Sequence, residues 1–360
     1  MRAGRGAFRP ARDRWGPFPD LFRRLTRSHT APILTVADRR VLELHPAIAR
    51  SLGSRAALIR LTGGEQAKTF AVLERILRAG TSLPREGLVL AIGGGSIGDV
   101  ATVAAHLLKR GLTLIHVPTT LLAAVDSSVG GKGAVHVAAS GQIIKNAAGV
   151  FHYPLEGWIC QEIFASLSPR QLFEGEVEAY KMAAALDSAA WRSYRRRKPG
   201  LASLVREARA LKNATCAADP YEGGDQRRLL NLGHTFGHVL ESLTGFELSH
   251  GEAVCLGIVC ALDVGRELGV APESAAGEVE QVFTQLYEAV HSTTPRAALA
   301  QALSGVPQRV LASLLAADKK VDAHGQLRMA LLTGLGRSGV FAVEGRVWRA
   351  LWGRRWRRGR

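Results

Sequence analysis

Residues 231 to 252, NLGHTFGHVLESLTGFELSHGE, gather three histidines at spacings that suit metal or substrate binding. His234 and His238 are four apart, so on one helix both imidazoles project from the same face and can converge on one ion or ligand. His250 follows a Gly-containing turn and opens a second apolar run, AVCLGIVCALDVG, from which it can return to the same point as another neutral nitrogen. Taken alone, an i, i+4 histidine pair is as readily a half-buried pair with satisfied hydrogen bonds. Upstream, Glu178 and Lys181 share one face of an otherwise apolar helix in GEVEAYKMAAAL. An i, i+3 pair of this kind is either a surface ion pair worth roughly 0.2–0.5 kcal/mol or a carboxylate ligand with a cation beside it. Two imidazoles and one carboxylate with open positions make a zinc site that polarises hydroxyl or carbonyl oxygens. The residues alone leave open whether His238 or His250 completes that set.

A second chemistry stands near residue 95. The strand LVLAI runs into Gly93-Gly94-Gly95-Ser96-Ile97-Gly98-Asp99 and then a helix, which satisfies G-x-G-x-x-G in its strand-turn-helix setting. Glycines there let backbone amides approach a pyrophosphate at a helix N-terminus, where the dipole favours negative charge. The acidic residue usual about 20 positions on, for a ribose hydroxyl, is replaced by IHVPTTLL. The next strand leads into VPTTLLAAVDSSVGGKGAV, with hydroxyls at Thr119 and Thr120, a carboxylate at Asp126, and free amides beside an ammonium at Gly130-Gly131-Lys132. That last combination suits a phosphate, and Arg110, Lys145 and Asn146 in flanking loops can add to it. Any one of these is ordinary loop polarity; five at consecutive strand ends point to a site.

The elements that must position these groups follow from periodicity. PILTV (32–36), AALIRL (56–61), LVLAI (88–92) and LTLIHV (112–117) read as short buried strands, with helical patterns between them. Strands alternating with helices imply right-handed crossovers and a parallel, helix-covered sheet. From about residue 155 the pattern is helical, which predicts a second domain, a boundary near Pro154 and an active site in the cleft between domains.

Composition bounds the rest. With 360 residues, 47% hydrophobic and 22% charged, the chain has the make-up of a globular enzyme. The net charge of +16 is concentrated in the tails: residues 1–30 hold eight Arg against two Asp, and 337–360 eight Arg against one Glu, leaving +3 for everything between. The basicity is therefore terminal decoration, and nucleic-acid affinity beyond nonspecific binding by the tails is not expected. Trp348, Trp352 and Trp356 recur at helical spacing among arginines; a terminal helix docking its indoles on the body is expected over a membrane-surface helix. No apolar run approaches the ~20 residues that span a bilayer and the start lacks a secretory core, which predicts a cytoplasmic protein without membrane contact. Cys160, Cys216, Cys255 and Cys260 lack C-x-x-C spacing and read as reduced core residues.

From about Pro32 to Arg337 the chain resembles 3-dehydroquinate synthase and its sugar-phosphate cyclase relatives, with GGEQAK, GGGSIGD, RG, PTTLLAAVDSSVGGK, KNAAG, EAYK, NLGHTFGH, HGEA and DKK in family order. The resemblance implies an NAD-binding α/β domain with a parallel sheet at 31–154 and a mostly α-helical metal- and substrate-binding domain at 155–337; composition sets off the basic extension at 1–30 and the Arg/Trp-rich tail at 338–360. By that resemblance Glu178, His234 and His250 would bind zinc (or cobalt), and His238 would contact substrate. NAD would be held by Asp38, Glu65, Lys68, Gly94, Gly95, Ser96, Asp99, Thr119 and Thr120. Substrate would meet Arg110, Asp126, Lys132, Lys145, Asn146, Lys181, Lys212, Arg227, Asn231 and one lysine of Lys319-Lys320. The implied substrate is 3-deoxy-D-arabino-heptulosonate 7-phosphate, cyclised to 3-dehydroquinate by transient oxidation of a hydroxyl, elimination of phosphate, reduction and intramolecular aldol closure. A homodimer is also implied.

Several positions depart from the family. Gly133 stands where Thr usually follows GGK, the stretch from Lys132 to Lys145 is about four residues long of expectation, Arg40 replaces a usual Asn, and the Arg-rich segment takes the place of the first strand. These leave a paralogue acting on sedoheptulose 7-phosphate or an amino-substituted analogue as the alternative. Metal-dependent alcohol or glycerol dehydrogenases share GGGS and PTT but continue toward Gly-Thr-Gly-Ser, unlike LLAAVDSSVGGK here.

Overall fold

In a computed structural model the chain divides into two compact units, Met1–Leu172 and Phe173–Arg360. The structure describes residues 9–53, 56–139, 142–245, 247–317, 326–354 and 356.

The first unit is built on a six-stranded parallel sheet. Its strands are β1 (Arg12–Trp15), β2 (Ile33–Asp38), β3 (Ala56–Leu61), β4 (Leu88–Gly93), β5 (Thr113–Pro118) and β8 (Glu156–Ile159), in the order β1-β8-β5-β4-β2-β3; β6 (Lys132–Ala139) and β7 (Gln142–Phe151) form a separate antiparallel hairpin. Strands β2 and β4 pair throughout, Ile33 opposite Leu88 and Ala37 opposite Ile92. Both faces are covered: Leu34, Val36, Val89 and Ala91 pack under the Gly95–Leu107 helix, while Ile33, Leu88, Leu90 and Ile92 pack with Phe18, Phe22 and Trp158. Continuous apolar runs, and not alternating ones, are what a sheet buried on both sides requires.

Two features differ from the sequence expectation. The Arg-rich start itself supplies edge strand β1, held by the Arg14–Glu156 ion pair at 2.9 Å and followed by the Phe18–Ser28 helix, whose Phe18 is fully buried. Strands also appear beyond residue 155, namely β8 and, in the second unit, the hairpin of β9 (Leu327–Gly334) and β10 (Arg337–Val343).

The second unit is otherwise helical. Its centre is the His250–Glu267 helix, on which every residue from Gly251 to Gly265 is buried. Trp348, Trp352 and Trp356 are buried, as the docking expectation holds, and the Trp356 indole donates to Asp263 Oδ2 at 3.0 Å. All four cysteines are buried and none is disulfide-bonded; burial pushes the Cys160 and Cys255 thiols up, so they are unreactive. Among the described residues no helix is long and apolar enough to cross a membrane.

Candidate active site

In the first unit, the nucleotide-type residues lie along the C-terminal ends of four adjacent strands, the position at which open parallel sheets bind ligands. Strand β4 ends at Gly93, and Gly94 caps the Gly95–Leu107 helix with no side chain covering its first amides. Thr119 donates its N–H to Gly93 O at 3.0 Å, and a Cβ on Gly94 or Gly95 would meet Thr120 Cγ2 at 3.3 Å or Ser127 Oγ at 2.9 Å. The glycines are thus required by close approach of the segment after β5. Gly64 donates to Ser96 Oγ at 3.0 Å, which brings the turn after β3 to the same edge. That turn carries Glu65 and Lys68, and buried Lys68 pairs with Asp99 at 2.6 Å.

Asp38 terminates β2, the strand beside β4. Its Oδ1 accepts from Arg40 N–H at 3.0 Å, and burial raises its pKa against the hydrogen bonds from Arg40 and Gly63 and the charges of Arg40 and Arg39. The acid missing downstream of the Gly-rich turn therefore has a counterpart upstream in sequence. Bare amides at a helix N-terminus, with a carboxylate at the end of the neighbouring strand, fit a dinucleotide's pyrophosphate and ribose.

The other named residues of this unit are distributed unevenly. Asp126 lies in a π-helical turn, Ala123–Ser127, a rare backbone form that recurs at functional sites. Lys132 opens β6, and the Cβ that Gly133 lacks would stand 2.9 Å from Asp99 O, so Lys132 sits near the first turns of the Gly95–Leu107 helix. Lys145 Nζ is 3.7 Å from Glu65 Oε2, and Asn146 follows with a left-handed φ of 52°. Arg110 is not brought to this edge. It is exposed, has a φ of 66°, and precedes β5 at the N-terminal end of the sheet, on the order of 20 Å of strand from Thr119.

In the second unit, Glu178, His234 and His250 converge. Glu178 Oε1 lies 3.5 Å from His234 Nε2 and 3.4 Å from His250 Nε2, and the three donor atoms all fall within 4.8 Å of one another. Ligands about 2.1 Å from a tetrahedral zinc are about 3.4 Å apart, so the donor set and its spacing fit such an ion. The imidazoles are held in the required tautomer: His234 Nδ1 faces Leu232 O at 3.4 Å and His250 Nδ1 faces Glu241 Oε1 at 3.3 Å, which turns both Nε2 atoms inward. Burial lowers the His250 pKa, but hydrogen bonds and charges of Glu178 and Glu241 outweigh it and push the ring up to about 10, so a cation bound between the rings would take the place of a proton on Nε2. Glu178 also accepts a hydrogen bond from Lys181, and both are buried.

Local structure sets this geometry. Glu178 and Lys181 belong to the Pro169–Leu186 helix, and His234 follows Gly233, whose φ of 81° starts the His234–Leu243 helix. His250 is the first residue of the next helix, fixed because Glu252 Oε2 accepts from Ser249 N–H at 2.7 Å while its Oε1 faces His291 Nε2 at 3.1 Å.

His238 is exposed, with its ring centroid 5.5 Å from that of His234 and 6.5 Å from that of His250. It borders the three-residue cluster, where an open imidazole can exchange a proton with a ligand. Lys212 and Arg227 are buried cations, and Arg227 is tied to Asp219 Oδ2 through its N–H at 3.4 Å and to Pro220 O at 2.8 Å. Asn231 closes the Arg227–Asn231 turn that leads to His234. Lys319 and Lys320 lie outside the described residues.

Two residues of these sites escape the sequence reading. Glu241 stands at i+7 from His234 on the face that His238 shares, a spacing visible in HTFGHVLE. His136, between Lys132 and Lys145, has no such signal; its contacts depend on the fold of the hairpin.

The sequence model described as 3-dehydroquinate synthase N-terminal matches residues 58–174, and that described as 3-dehydroquinate synthase C-terminal matches 175–321. The 3-dehydroquinate synthase of Rhodopseudomonas palustris (strain ATCC BAA-98 / CGA009) is 39% identical over 292 residues, 76% of this chain and 73% of that protein. Among solved structures, 2-deoxy-scyllo-inosose synthase complexed with carbaglucose-6-phosphate, NAD+ and Co2+ has a TM-score of 0.78 at 24% identity, over 96% of this chain and 97% of its own. ValA, the 2-epi-5-epi-valiolone synthase of Streptomyces hygroscopicus subsp. jinggangensis 5008 with NAD+ and Zn2+ bound, has a TM-score of 0.76 at 25% identity, over 97% and 98%. Matches to both halves of one family, over most of the described sites, establish that this chain belongs to the 3-dehydroquinate synthase family.

Proposed function

We propose that the chain is a 3-dehydroquinate synthase, converting 3-deoxy-D-arabino-heptulosonate 7-phosphate to 3-dehydroquinate with loss of phosphate, with NAD and zinc or cobalt as cofactors. The observation that carries this reading is the Glu178–His234–His250 cluster, whose donors fall within 4.8 Å of one another, in a chain of this family. When bound, NAD supplies reversible hydride transfer and the metal polarises substrate oxygens.

The protein's own groups have separable tasks. Gly94, Gly95 and Ser96 offer main-chain amides to a pyrophosphate, while Asp38 faces a ribose and Glu65, Lys68, Asp99, Thr119 and Thr120 line the same edge. Lys132, Lys145 and Asn146 supply cations and donors for the substrate's phosphate, and Asp126 orients a hydroxyl; Arg110, exposed at the opposite end of β5, is left out of this set. Lys181, Lys212 and Arg227, with one of Lys319 and Lys320, neutralise the substrate's carboxylate, Asn231 donates a hydrogen bond to it, and His238 moves a proton at a substrate oxygen. A homodimer in the cytoplasm, without a nucleic-acid or membrane partner, belongs to the same reading.

A related sugar-phosphate cyclase is the second reading, favoured by the altered β6–β7 hairpin with Gly133. Purified protein with NAD, zinc and the heptulosonate phosphate decides between them. Release of phosphate and formation of 3-dehydroquinate with no net NADH is the expected result. Turnover of sedoheptulose 7-phosphate alone would support the second reading, and net NADH on simple alcohols would refute both.

A further inference from the structure

The cofactor-side and substrate-side groups of the first unit meet at His136, which belongs to neither set. This residue of β6 is buried and its main-chain N–H donates to Lys68 O at 2.7 Å. Its ring reaches two further segments. Nδ1 accepts the main-chain N–H of Asn146 at 3.1 Å, and Nε2 lies 2.9 Å from Glu65 Oε2. A nitrogen that accepts carries no proton, so the neutral ring holds its proton on Nε2, the atom that faces the carboxylate. Burial lowers the His136 pKa and the cations Lys68 and Lys145 add to that, against the opposing pull of Glu65.

The hairpin is irregular at this residue. Val135 pairs with Ala148 and Val137 with Ile144, so His136 alone stands opposite Lys145, Asn146 and Ala147. A bulge of this kind removes main-chain partners and re-aims side chains. The Asn146 amide, on a left-handed residue with φ 52°, is met by the imidazole in place of a strand carbonyl. Lys145 is drawn to the same carboxylate as the ring, 3.7 Å from Glu65 Oε2. The ring thus joins the crest of β7, through its bond with the Asn146 amide, to the turn after β3, where Glu65 stands 2.9 Å from Nε2.

We propose that His136 is a positioning residue: it shapes the Lys145–Asn146 bulge for a phosphate group and ties that bulge to Glu65. The assignment of Lys145 and Asn146 to the sugar phosphate and of Glu65 to NAD rests on the function proposed above.

The test compares His136→Leu, His136→Asn and His136→Gln in the full chain loaded with zinc. The Asn amide oxygen can take the place of Nδ1, whereas the Gln amide reaches only the place of Nε2. Loss of the Asn146 contact should raise the KM for the heptulosonate phosphate about threefold to tenfold in the Leu variant, the range set by one hydrogen bond. Calorimetric NAD affinity should stay within about twofold, and Asn should recover most of the KM where Gln does not. An unchanged KM in the Leu variant, better rescue by Gln than by Asn, or parallel losses of NAD and substrate affinity in all three would overturn the proposal. A wild-type protein that binds but does not turn over the heptulosonate would refute the assigned reaction instead. The positioning role is then read from inorganic phosphate affinity, which Leu must weaken and Asn restore; equal affinity in all variants refutes it.

Discussion

A Cβ on Gly257 would stand 2.1 Å from the carbonyl oxygen of Gly233, and 2.7 Å from the amide of Gly237. The helices that begin at His234 and His250 therefore touch main chain to main chain. The G-x-x-x-G of Gly233 and Gly237 is the socket for Gly257.

Gly257→Ala forces that contact apart, because the opposing atoms are backbone and cannot rotate away. Overpacking in a well-packed core costs about 1–3 kcal/mol, and an unyielding neighbour puts this case at the upper end. The added methyl also separates the two imidazoles, so zinc retention after dialysis should fall more than thermal stability alone accounts for. A variant that unfolds at lower temperature yet holds a full equivalent of zinc would show that the crossing does not set the His234–His250 spacing.

Glu178 offers a cleaner perturbation of the same cluster. Its carboxylate faces both Nε2 atoms and accepts from buried Lys181, so Glu178→Gln removes the candidate ligand oxygen's charge and leaves an ammonium without its counter-charge. Breaking a buried ion pair from one side costs ~3–5 kcal/mol. Glu178→Asp keeps the charge and withdraws the oxygen by one methylene. Gln should lose both metal and stability, whereas Asp should lose metal with the smaller drop in melting temperature; elemental analysis and calorimetry of the two variants check this. Full metal content in both would remove Glu178 from the ligand set.

Legibility followed burial. Strands β2, β4 and β5 are buried along almost their whole length and edge strand β3 is apolar but for exposed Arg60, and the sequence places each within two residues of its observed ends because a sheet covered on both faces needs such runs. The RDRW of β1 carries no such signal; edge position and the Arg14–Glu156 pair make it a strand. The β6–β7 hairpin mixes small, polar and apolar residues, with Ile143 72% exposed, so its period is blurred. In the site, helical spacing marks His234 and His238 and leaves open whether His238 or His250 completes the set; the family resemblance points to His250, and the fold brings its donor within 4.8 Å of those of Glu178 and His234 while His238 stays exposed. The spacing rule for a ribose-type acid points downstream of the Gly-rich turn, whereas the carboxylate at the end of the neighbouring strand is Asp38 of β2, which precedes that turn in the chain.

Gly133 is explained by its neighbours. A Cβ there would lie 2.5 Å from Thr102 Cβ and 2.9 Å from Asp99 O, so the hairpin rests directly on the Gly95–Leu107 helix. Gly133→Thr should therefore cost about 1–3 kcal/mol even though it restores the residue usual in the family. Shifting the helix also disturbs Asp99, the partner of Lys68, so NAD affinity should weaken together with stability. Thermal melts and calorimetric titration with NAD test both effects. A Thr variant as stable as the parent would mean the hairpin can lift without strain.

The C-terminal indole makes the last testable link. Trp356 donates to Asp263 Oδ2 at 3.0 Å and meets Phe236 edge-on at 4.9 Å between ring centroids, so one side chain touches both histidine-bearing helices. Asp263 is buried and also binds Arg296 through Oδ1 at 3.0 Å and Oδ2 at 3.1 Å, which holds its charge in place without the indole. Trp356→Phe should thus lose one charge-assisted hydrogen bond, ~1.5–3 kcal/mol, and keep most of the packing. Trp356→Ala should cost more, ~3–5 kcal/mol, because the cavity opens beside Phe236, Leu240 and Trp352. Both losses should appear in the melting temperature, and the absorption spectrum of the Co2+-loaded protein should change in Ala but not in Phe. An Ala variant with the parent's melting temperature would show that the Arg/Trp segment is dispensable to the core it covers.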